Sequence, residues 1–479
     1  MNRKLLSTGS VLLALGLMMT TAGCNSAKTN TVVPDDTQNT TDVVVNTQTP
    51  LSSVGVTQTS GTGAANMQTA FSQYEFSSRT IKTDGPKLGG NVIYSNQLWQ
   101  APEYEYEPTL DVGAGDVEGV KGLFFTSPVK YNGKQTKVAA YIGFPEGASA
   151  ENKVPAIVLV HGGEGTAIPE WVRYWNKQGF AAISLDTEGA EPIIGVSNYK
   201  NYHIKNRYKN HDVYAAGPSN NGFTDCTAPL EDQWMYHATS ATILATSLIS
   251  SFDCVDTQRI GITGVSWGSV ITTIVSAYDD RLIFAMPVYG AATLTENDGF
   301  VKFGKEEEIF NTASQLWDIK TGLQESSCKM FFVAAQTGDT AFSVNVANEA
   351  AELTNGYTLF KDGFSHSQEV GANEMNLPYF AKTYCGINTE FVELTQQPTK
   401  TDLMFRYTSY GDVTMQSITV CYTTDQTLTI KTKWTQTSEK VSSANGSYKI
   451  KTPSGATFIF ARIKYNNGQE VSTRIVDLR

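Results

Sequence analysis

The middle of the chain, from about residue 154 to 384, alternates short apolar runs with stretches in which apolar residues recur at helical spacing. The continuous apolar run Val154–Val160 predicts a buried strand. The same kind of run predicts further strands at 180–185, 259–263, 284–289, 330–335 and 357–361, and helical spacing predicts helices at 170–178 and 232–251. This alternation predicts an α/β fold, a mostly parallel sheet with helices on both faces.

Both ends of this region carry a different pattern. Upstream, two alternating runs flank Asn132-Gly133, a dipeptide typical of tight hairpins, and predict antiparallel strands at the edge of the sheet. Downstream, runs that mix Thr with apolar residues follow one another with no helical stretch between them, at 417–422, 427–434, 457–464 and 472–476. The C-terminal region is therefore predicted to be a separate all-β sandwich domain.

The N-terminus has the pattern of an export signal. Arg3 and Lys4 precede a short apolar run, which ends at the small residues before Cys24. Ala-Gly before the cysteine resembles the bacterial lipoprotein signal, although Thr21 stands where that signal usually has Leu, and an ordinary secretory signal is the alternative. We expect lipidation at Cys24 and a protein at the extracellular face of a bacterial membrane, held by its lipid anchor only, or secreted.

These patterns divide the chain of 479 residues into four parts. Residues 1–24 form the lipoprotein-type signal. The polar, aromatic-poor stretch 25–75 cannot bury enough apolar surface to fold and is predicted to be a disordered tether. Residues 76–389 form the α/β domain and residues 390–479 the sandwich.

Composition excludes several classes of function. Charged residues make up 17% of the chain and the net charge is −11, which argues against a nucleic-acid partner. The five cysteines after Cys24 contain no CxxC pair, so no metal site is expected, and at least one thiol remains unpaired while a bridge from Cys226 to Cys254 is compatible with the sequence. No cofactor motif is present, and none is expected.

One motif carries chemistry. Gly264-Val265-Ser266-Trp267-Gly268 follows a predicted strand and opens a helical stretch. A serine on such a strand-to-helix turn exposes its hydroxyl, while glycines on either side avoid a collision across the turn. Ser266 is therefore the candidate nucleophile, and the alternative is a structural serine in a turn.

A serine needs a base, and the base needs a carboxylate to orient it. In sheets of this kind the chain order is Ser, then Asp or Glu, then His. His366 follows Ser266 and has no competing histidine after that position. Asp339 comes directly after the strand at 330–335 and is the candidate acid, while Asp362, close to His366, is the alternative and suits a turn role better.

Acyl transfer also requires backbone N–H groups that stabilise an oxyanion. Trp267, the residue after the nucleophile, is one candidate donor. The glycine-rich loop after the first buried strand supplies two more, Gly162 and Gly163, because glycine lets the backbone approach a substrate closely. His161 precedes Ser266 and is expected to support this loop, and no nucleotide-binding motif surrounds it.

Together these segments resemble a branch of the α/β-hydrolase superfamily related to acetyl xylan esterases, dienelactone hydrolases and prolyl oligopeptidases. The resemblance covers roughly 121–384 and is carried by residues 161–167, 170–176, 186–187, 234–237 and 259–268. Glu164 and Ser269 stand where secreted members have glycine, which leaves the choice of substrate open. The resemblance implies hydrolysis of acyl esters on plant polysaccharide.

The expected function is that of a secreted serine hydrolase that cleaves small-molecule or polysaccharide esters, most simply a carbohydrate esterase of the acetyl xylan type. One alternative is a prolyl-oligopeptidase-like peptidase, although that family adds a β-propeller that the residues before Val154 are too few to form. The other alternative is a surface binding protein with an inactive hydrolase scaffold.

Overall fold

The computed structural model describes residues 43–44, 80–81, 90–111, 119–196, 198–208, 214–293, 307–387, 390–443 and 445–479. The predicted signal, Cys24 and almost all of the predicted tether lie outside the described residues. Val43–Val44 (β1) lie within the range of the predicted tether. They pair antiparallel with Thr80–Ile81 (β2), which lie just beyond it.

The α/β region contains strands and helices in alternation. Its strands are β3 Tyr104–Tyr106, β4 Val120–Tyr131, β5 Lys134–Gly143, β6 Val154–Val160, β7 Ala181–Leu185, β8 Ala190–Pro192, β9 Lys205–Arg207, β10 Tyr214–Ala216, β11 Val255–Val265, β12 Leu282–Val288, β13 Lys329–Ala335 and β14 Tyr357–Lys361. Its helices are α1 Pro169–Lys177, α2 Trp234–Ser250, α3 Trp267–Tyr278, α4 Glu307–Trp317, α5 Lys320–Gln324, α6 Val344–Thr354, α7 Gln368–Ala372 and α8 Asn376–Tyr384.

The central sheet has the strand order β3-β4-β5-β7-β6-β11-β12-β13-β14. Strands β7 to β14 in this order pair in parallel, whereas β3, β4 and β5 are antiparallel at the edge. The predicted α/β class is thus confirmed, as are the predicted strands and the edge hairpin. At the hairpin turn Asn132 and Gly133 have φ values of 53° and 78°, the positive angles that a type I′ turn requires.

The C-terminal region forms two antiparallel groups of strands. Its strands are β15 Phe391–Gln396, β16 Met404–Tyr410, β17 Met415–Thr423, β18 Thr435–Ser443, β19 Asn445–Lys449, β20 Phe458–Tyr465, β21 Glu470–Ser472 and β22 Val476–Asp477. Strands β15, β16 and β19 form one sheet, and β18, β17, β20 and β21 form the other. Phe405 and Tyr407 of the first sheet share a core with Ile418 and Ile463 of the second, so the two sheets pack as a sandwich.

Two of the strands predicted for this region are wrong. The predicted strand 472–476 is interrupted at residues 473–475, so that Ser472 ends β21 and Val476 begins β22. The other is the strand predicted at 427–434. Residues 427–434 form no strand because their backbone groups bind locally. Thr432 N donates to the carbonyl oxygen of Thr429, and Lys433 N donates to the carboxylate of Asp425 at 3.1 Å. The strand next to β17 begins one residue later, at Thr435.

The sandwich is not isolated from the α/β sheet. Strand β21 pairs antiparallel with β14, at Ser472 and Thr358, so that the C-terminal strands continue the central sheet beyond its last parallel strand. At this junction the ring of Phe460 lies 5.2 Å from that of Phe360 and 5.0 Å from that of Trp434. A strand pair and an apolar cluster therefore join the two regions.

The bridge considered for Cys226 is not formed: its Sγ is a thiol that donates to the carbonyl oxygen of Ile309 at 3.3 Å. Among the helices of the described ranges, none has both the length and the apolar character needed to cross a membrane.

We expect the parallel strands to carry most of the stability. Ile262 in β11 is fully buried, and Ile262→Ala should lower the free energy of unfolding by about 2–5 kcal/mol because it leaves a cavity in a close-packed core. The matched substitution Ile93→Ala, at a side chain 81% exposed, should change it by less than about 0.5 kcal/mol. Guanidinium unfolding of both variants measures the difference, and equal effects would contradict the assignment of the core.

Candidate active site

Ser266 lies on a sharp turn between β11 and α3. Its backbone has φ 59° and ψ −120°, a conformation that few non-glycine residues adopt. The glycines of the motif are needed, because a Cβ on Gly264 would lie 2.1 Å from the carbonyl oxygen of Gly268, and one on Gly268 would lie 2.1 Å from that of Val160. The turn thus holds Ser266, a partly exposed residue, above the carboxyl ends of the parallel strands.

His366 connects Ser266 to Asp339. His366 Nε2 is 2.8 Å from Ser266 Oγ, and His366 Nδ1 is 2.9 Å from Asp339 Oδ1. A carboxylate can only accept, so Nδ1 carries the proton and the unprotonated Nε2 faces the serine hydroxyl. The structure therefore brings together the three side chains that the sequence proposed as nucleophile, base and acid, and gives the imidazole the tautomer that a general base requires.

Asp339 is fixed by the backbone after it. The N–H groups of Ala341 and Phe342 donate to Asp339 Oδ1 at 2.7 and 3.2 Å, and the side chain is only 3% exposed. Asp362, the alternative acid, is bound elsewhere: its carboxylate accepts from Thr337 Oγ1 and from Gln436 Nε2. Asp362 thus has the turn role that its position suggested.

The three candidate oxyanion donors are not equivalent. Gly162 N–H donates to Gln368 Oε1 at 2.9 Å, so this donor, proposed from the sequence, is already occupied. Gly163 lies against the indole of Trp267, since a Cβ on Gly163 would be 2.4 Å from Trp267 Cδ1. Trp267 opens α3, where backbone N–H groups and the helix dipole favour negative charge. Gly163 and Trp267 remain as the candidate pair.

A charged pair, the buried Glu188 and the partly buried Lys205, binds the backbone of the glycine-rich loop. Glu188 accepts from Glu164 N at 2.6 Å and pairs with Lys205 at 2.6 Å, and Lys205 also donates to the carbonyl oxygen of Gly165. His161 accepts from Thr187 N at 3.1 Å, and burial lowers the pKa of His161 to about 3, so it is a neutral supporting residue. Glu188 and Lys205 carry no sequence signal for this role, because they are distant in the chain and belong to no motif.

Two aromatic rings lie close to the imidazole of His366. The ring of Tyr289 stacks 4.6 Å from that of His366, and Phe342 lies 6.0 Å away with its plane within 10° of parallel. Tyr289 has φ 80°, and its hydroxyl donates to the carbonyl oxygen of Ser365 at 2.7 Å. Tyr289 therefore fixes the loop of His366 as well as its ring. In the sequence, the one indication of this role is that Tyr289 ends the strand predicted at 284–289.

In the described part of the chain, no cluster of three or more His, Cys, Asp and Glu side chains is placed to hold a metal ion.

Three observations decide the fold of the large domain. They are the strand order of the central sheet, the turn at Ser266 after β11, and the positions of Asp339 after β13 and His366 after β14. The large domain has the α/β-hydrolase fold.

One protein-family model matches part of the chain. The family model described as acetyl xylan esterase (AXE1) matches residues 102–294 of the hydrolase-fold domain, a range that contains Ser266 and the glycine-rich loop but ends before Asp339 and His366. Among curated protein sequences, no match was found.

Solved structures similar to the chain include esterases and peptidases. Acetyl xylan esterase 1 from Thermoanaerobacterium sp. JW/SL YS485 has a TM-score of 0.39 and 13% identity, covering 59% of this chain and 88% of its own. Acetyl xylan esterase from Paenibacillus sp. R4 has a TM-score of 0.39 and 15% identity, covering 56% and 84%. Acylaminoacyl peptidase of Pyrococcus horikoshii has a TM-score of 0.39 and 14% identity, covering 55% of this chain and 41% of its own.

We expect Gly268→Ala to disrupt the turn at Ser266, because the new methyl group would meet the backbone of β6 at 2.1 Å. Hydrolysis of a chromogenic ester should fall at least about 100-fold, since a displacement near 1 Å at a reacting group has this effect. Gly217→Ala is the matched control, with its nearest neighbouring atom at 3.8 Å, and should keep full activity. Equal activity of the two variants would contradict the steric account.

A pH dependence of stability should follow from Asp186, a buried carboxylate 3.9 Å from His161. Burial raises the pKa of Asp186 to about 7, with Glu188 adding to the rise and Lys205 opposing it. Because the folded protein then holds this proton more tightly than the unfolded chain, stability from this group is complete below about pH 4 and is lost as the pH rises through 7.

Asp186→Asn should remove this contribution, so the loss of stability between pH 5 and pH 8 should be smaller in the variant by about 2–3 kcal/mol. Urea unfolding at both pH values measures it. Asp412→Asn, at an exposed position, is the control and should follow the parent protein. An unchanged pH dependence in Asp186→Asn would show that this carboxylate is not the group responsible.

Proposed function

We propose that the protein is a serine hydrolase that cleaves acyl esters, of the acetyl xylan esterase type. The observation that carries the proposal is the position of His366, within hydrogen-bond distance of both Ser266 Oγ and Asp339 Oδ1. A solvent-accessible serine, an imidazole in the correct tautomer and a buried carboxylate form the arrangement that activates a hydroxyl for attack on a carbonyl carbon.

In the first half of the reaction, Ser266 Oγ attacks the ester carbonyl carbon while His366 Nε2 takes the hydroxyl proton. Asp339 stabilises the resulting imidazolium through its bond to Nδ1. The carbonyl oxygen becomes an oxyanion, which the N–H groups of Trp267 and Gly163 stabilise. His366 then gives the proton to the leaving alcohol, and the acyl group stays on Ser266.

In the second half, a water molecule loses a proton to His366 and attacks the acyl-serine. The carbon–oxygen bond to Ser266 breaks, the proton returns to Ser266 Oγ, and the free acid departs. The same groups serve both halves, since the second step is the chemical reverse of the first with water in place of the alcohol.

The match of the acetyl xylan esterase family model to residues 102–294 supports an acetyl ester of a carbohydrate as substrate. A chain with only 17% charged residues suits an uncharged polysaccharide. The N-terminal pattern supports export, with a lipid on Cys24 or with secretion as the end point.

Labelling with a fluorophosphonate probe tests the nucleophile. The parent protein should be labelled, and Ser266→Ala should be neither labelled nor able to hydrolyse p-nitrophenyl acetate above about one part in 10⁴ of the parent rate, because removal of a serine nucleophile has effects of this size. Ser438→Ala, an exposed serine of β18, is the control. Equal labelling of Ser266→Ala and the parent, or no labelling of either, would refute the assignment; the latter is the result expected of an inactive binding protein.

Acetylated xylan and a Gly-Pro chromogenic amide separate the two enzyme classes. We expect release of acetate from the xylan with a kcat/KM at least about 100-fold above that for the amide, because an alkoxide leaves a tetrahedral intermediate more easily than an amine. Measurements with one preparation whose active sites are titrated by the probe make the two rates comparable. Faster cleavage of the amide would favour the peptidase alternative.

A further inference from the structure

The loops that carry Asp339 and His366 are bound to each other. The acid loop, residues 336–339, follows β13, and the histidine loop, residues 362–366, follows β14. Phe364 N donates to the carbonyl oxygen of Thr337 at 3.0 Å, and Gly363 N donates to Thr337 Oγ1 at 2.9 Å. A shift of either loop therefore moves the other, and with it the bond between Asp339 and His366.

Two side chains of the sandwich bind both loops from outside. Arg462 of β20 is half-buried, and its Nη1 donates to Gln336 Oε1 at 2.8 Å and to the carbonyl oxygen of Phe360 at 3.1 Å. Arg462 Nη2 donates to Gln436 Oε1 at 3.1 Å, and Gln436 Nε2 donates to Asp362 Oδ2 at 2.7 Å. This clamp, formed by Arg462 and Gln436, reaches the first residue of each loop.

The charges at the clamp are complementary. Asp362 has its pKa lowered, first by the hydrogen bond from Thr337 and then by Gln436 and Arg462, so it faces Arg462 as a carboxylate. Cys421 of β17 also contacts Gln336, with its Sγ 3.6 Å from Oε1. The amide of Gln336 and the carboxylate of Asp362 thus receive their donors from the sandwich and from Thr337.

The nucleophile is held differently. Ser266 N donates to the carbonyl oxygen of Val288, and Ser269 Oγ bridges the carbonyl oxygen of Ser266 and Gly290 N, all within the hydrolase-fold domain. The sandwich therefore contacts the loops of the acid and the base, while the turn of the nucleophile is fixed by the parallel strands.

We propose that Arg462 and Gln436 are positioning residues, and that the C-terminal sandwich is a working part of the active site through this clamp. The proposal rests on the proposed function, in which Asp339 and His366 assist Ser266. Loss of the clamp loosens the acid and histidine loops and lowers the reactivity of Ser266, while the binding of substrate is preserved.

The test compares Arg462→Ala, Arg462→Lys and Gln436→Ala with the control Arg406→Ala, an exposed arginine of β16 bound to Gln396. Active sites are titrated with the fluorophosphonate probe, so that kcat for p-nitrophenyl acetate is expressed per reactive site. Arg462→Ala should lose roughly 10- to 100-fold in kcat with KM within about twofold, and the rate of probe labelling should fall in parallel. Arg462→Lys should recover part of the loss, and Arg406→Ala should match the parent.

Gln436→Ala tests the clamp by itself if Arg462→Ala fails to fold. Gln436 is exposed, so its substitution removes little packing. The double variant Gln436→Ala/Asp362→Ala, compared with each single variant, should show non-additive effects on kcat, since both substitutions remove the hydrogen bond between these two side chains. Unchanged kcat per titrated site in Gln436→Ala and Arg462→Ala, with a parent protein that is labelled at Ser266, would overturn the clamp and leave the proposed function standing. A parent protein that is not labelled would refute the proposed function itself.

Discussion

The backbone of Ser266 is the constraint around which the site is built. A non-glycine residue at this positive φ costs free energy, on the order of 1–3 kcal/mol, and persists only where its surroundings allow no alternative. Here the surroundings are three parallel strands: β6 lies against Gly268, β11 leads into the turn, and β12 supplies the carbonyl of Val288 that binds Ser266 N. Relaxation of the turn would displace all three strands, so the strain is retained.

The candidate acid Asp339 and the candidate base His366 depend on a different part of the sheet. Strands β13 and β14 end the parallel series, and an edge at this point would leave the histidine loop with support on one side only. Strand β21 removes that edge by pairing with β14, and Phe460 packs against Phe360 behind it. Because the sheet continues into the sandwich, the loops of Asp339 and His366 are supported on a second side. Arg462 of the sandwich contacts Gln336 and Phe360 from that side.

Sequence patterns predicted the parts of the molecule that depend on local order. Continuous apolar runs located the parallel strands, because a strand buried on both faces has no polar positions. The glycines at 264 and 268 indicated the turn. The order of serine, acid and histidine led to His366 and Asp339 as candidates, and the structure places both within reach of Ser266 through His366. The strand at 427–434 was predicted because alternating Thr and apolar residues suit a pleated surface. The prediction failed because local hydrogen bonds between Thr429 and Thr432, and from Lys433 N to the carboxylate of Asp425, hold this segment in turns.

Contacts between distant segments could not be predicted in this way. The bond from Gly162 to Gln368 joins residues 206 positions apart, and it removes a donor that the loop sequence alone presents as available. The sequence pattern marks Tyr289 only as the end of a strand, since nothing in it indicates that the ring stacks on His366. Such partners are set by the packing of whole elements, which a single sequence does not reveal.

The distribution of backbone strain supports the location of the site independently of any motif. In the described residues, positive φ values outside glycine occur at Asn132, Glu164, Ser266, Tyr289 and Asn355. The two asparagines lie at a hairpin turn and a helix C-terminus, where asparagine tolerates this conformation. The other three are Ser266, which is the candidate nucleophile, a residue of the glycine-rich loop, and Tyr289, whose ring stacks on His366. Strained residues cluster at functional sites, and here residues with positive φ from three different chain segments lie at the candidate site.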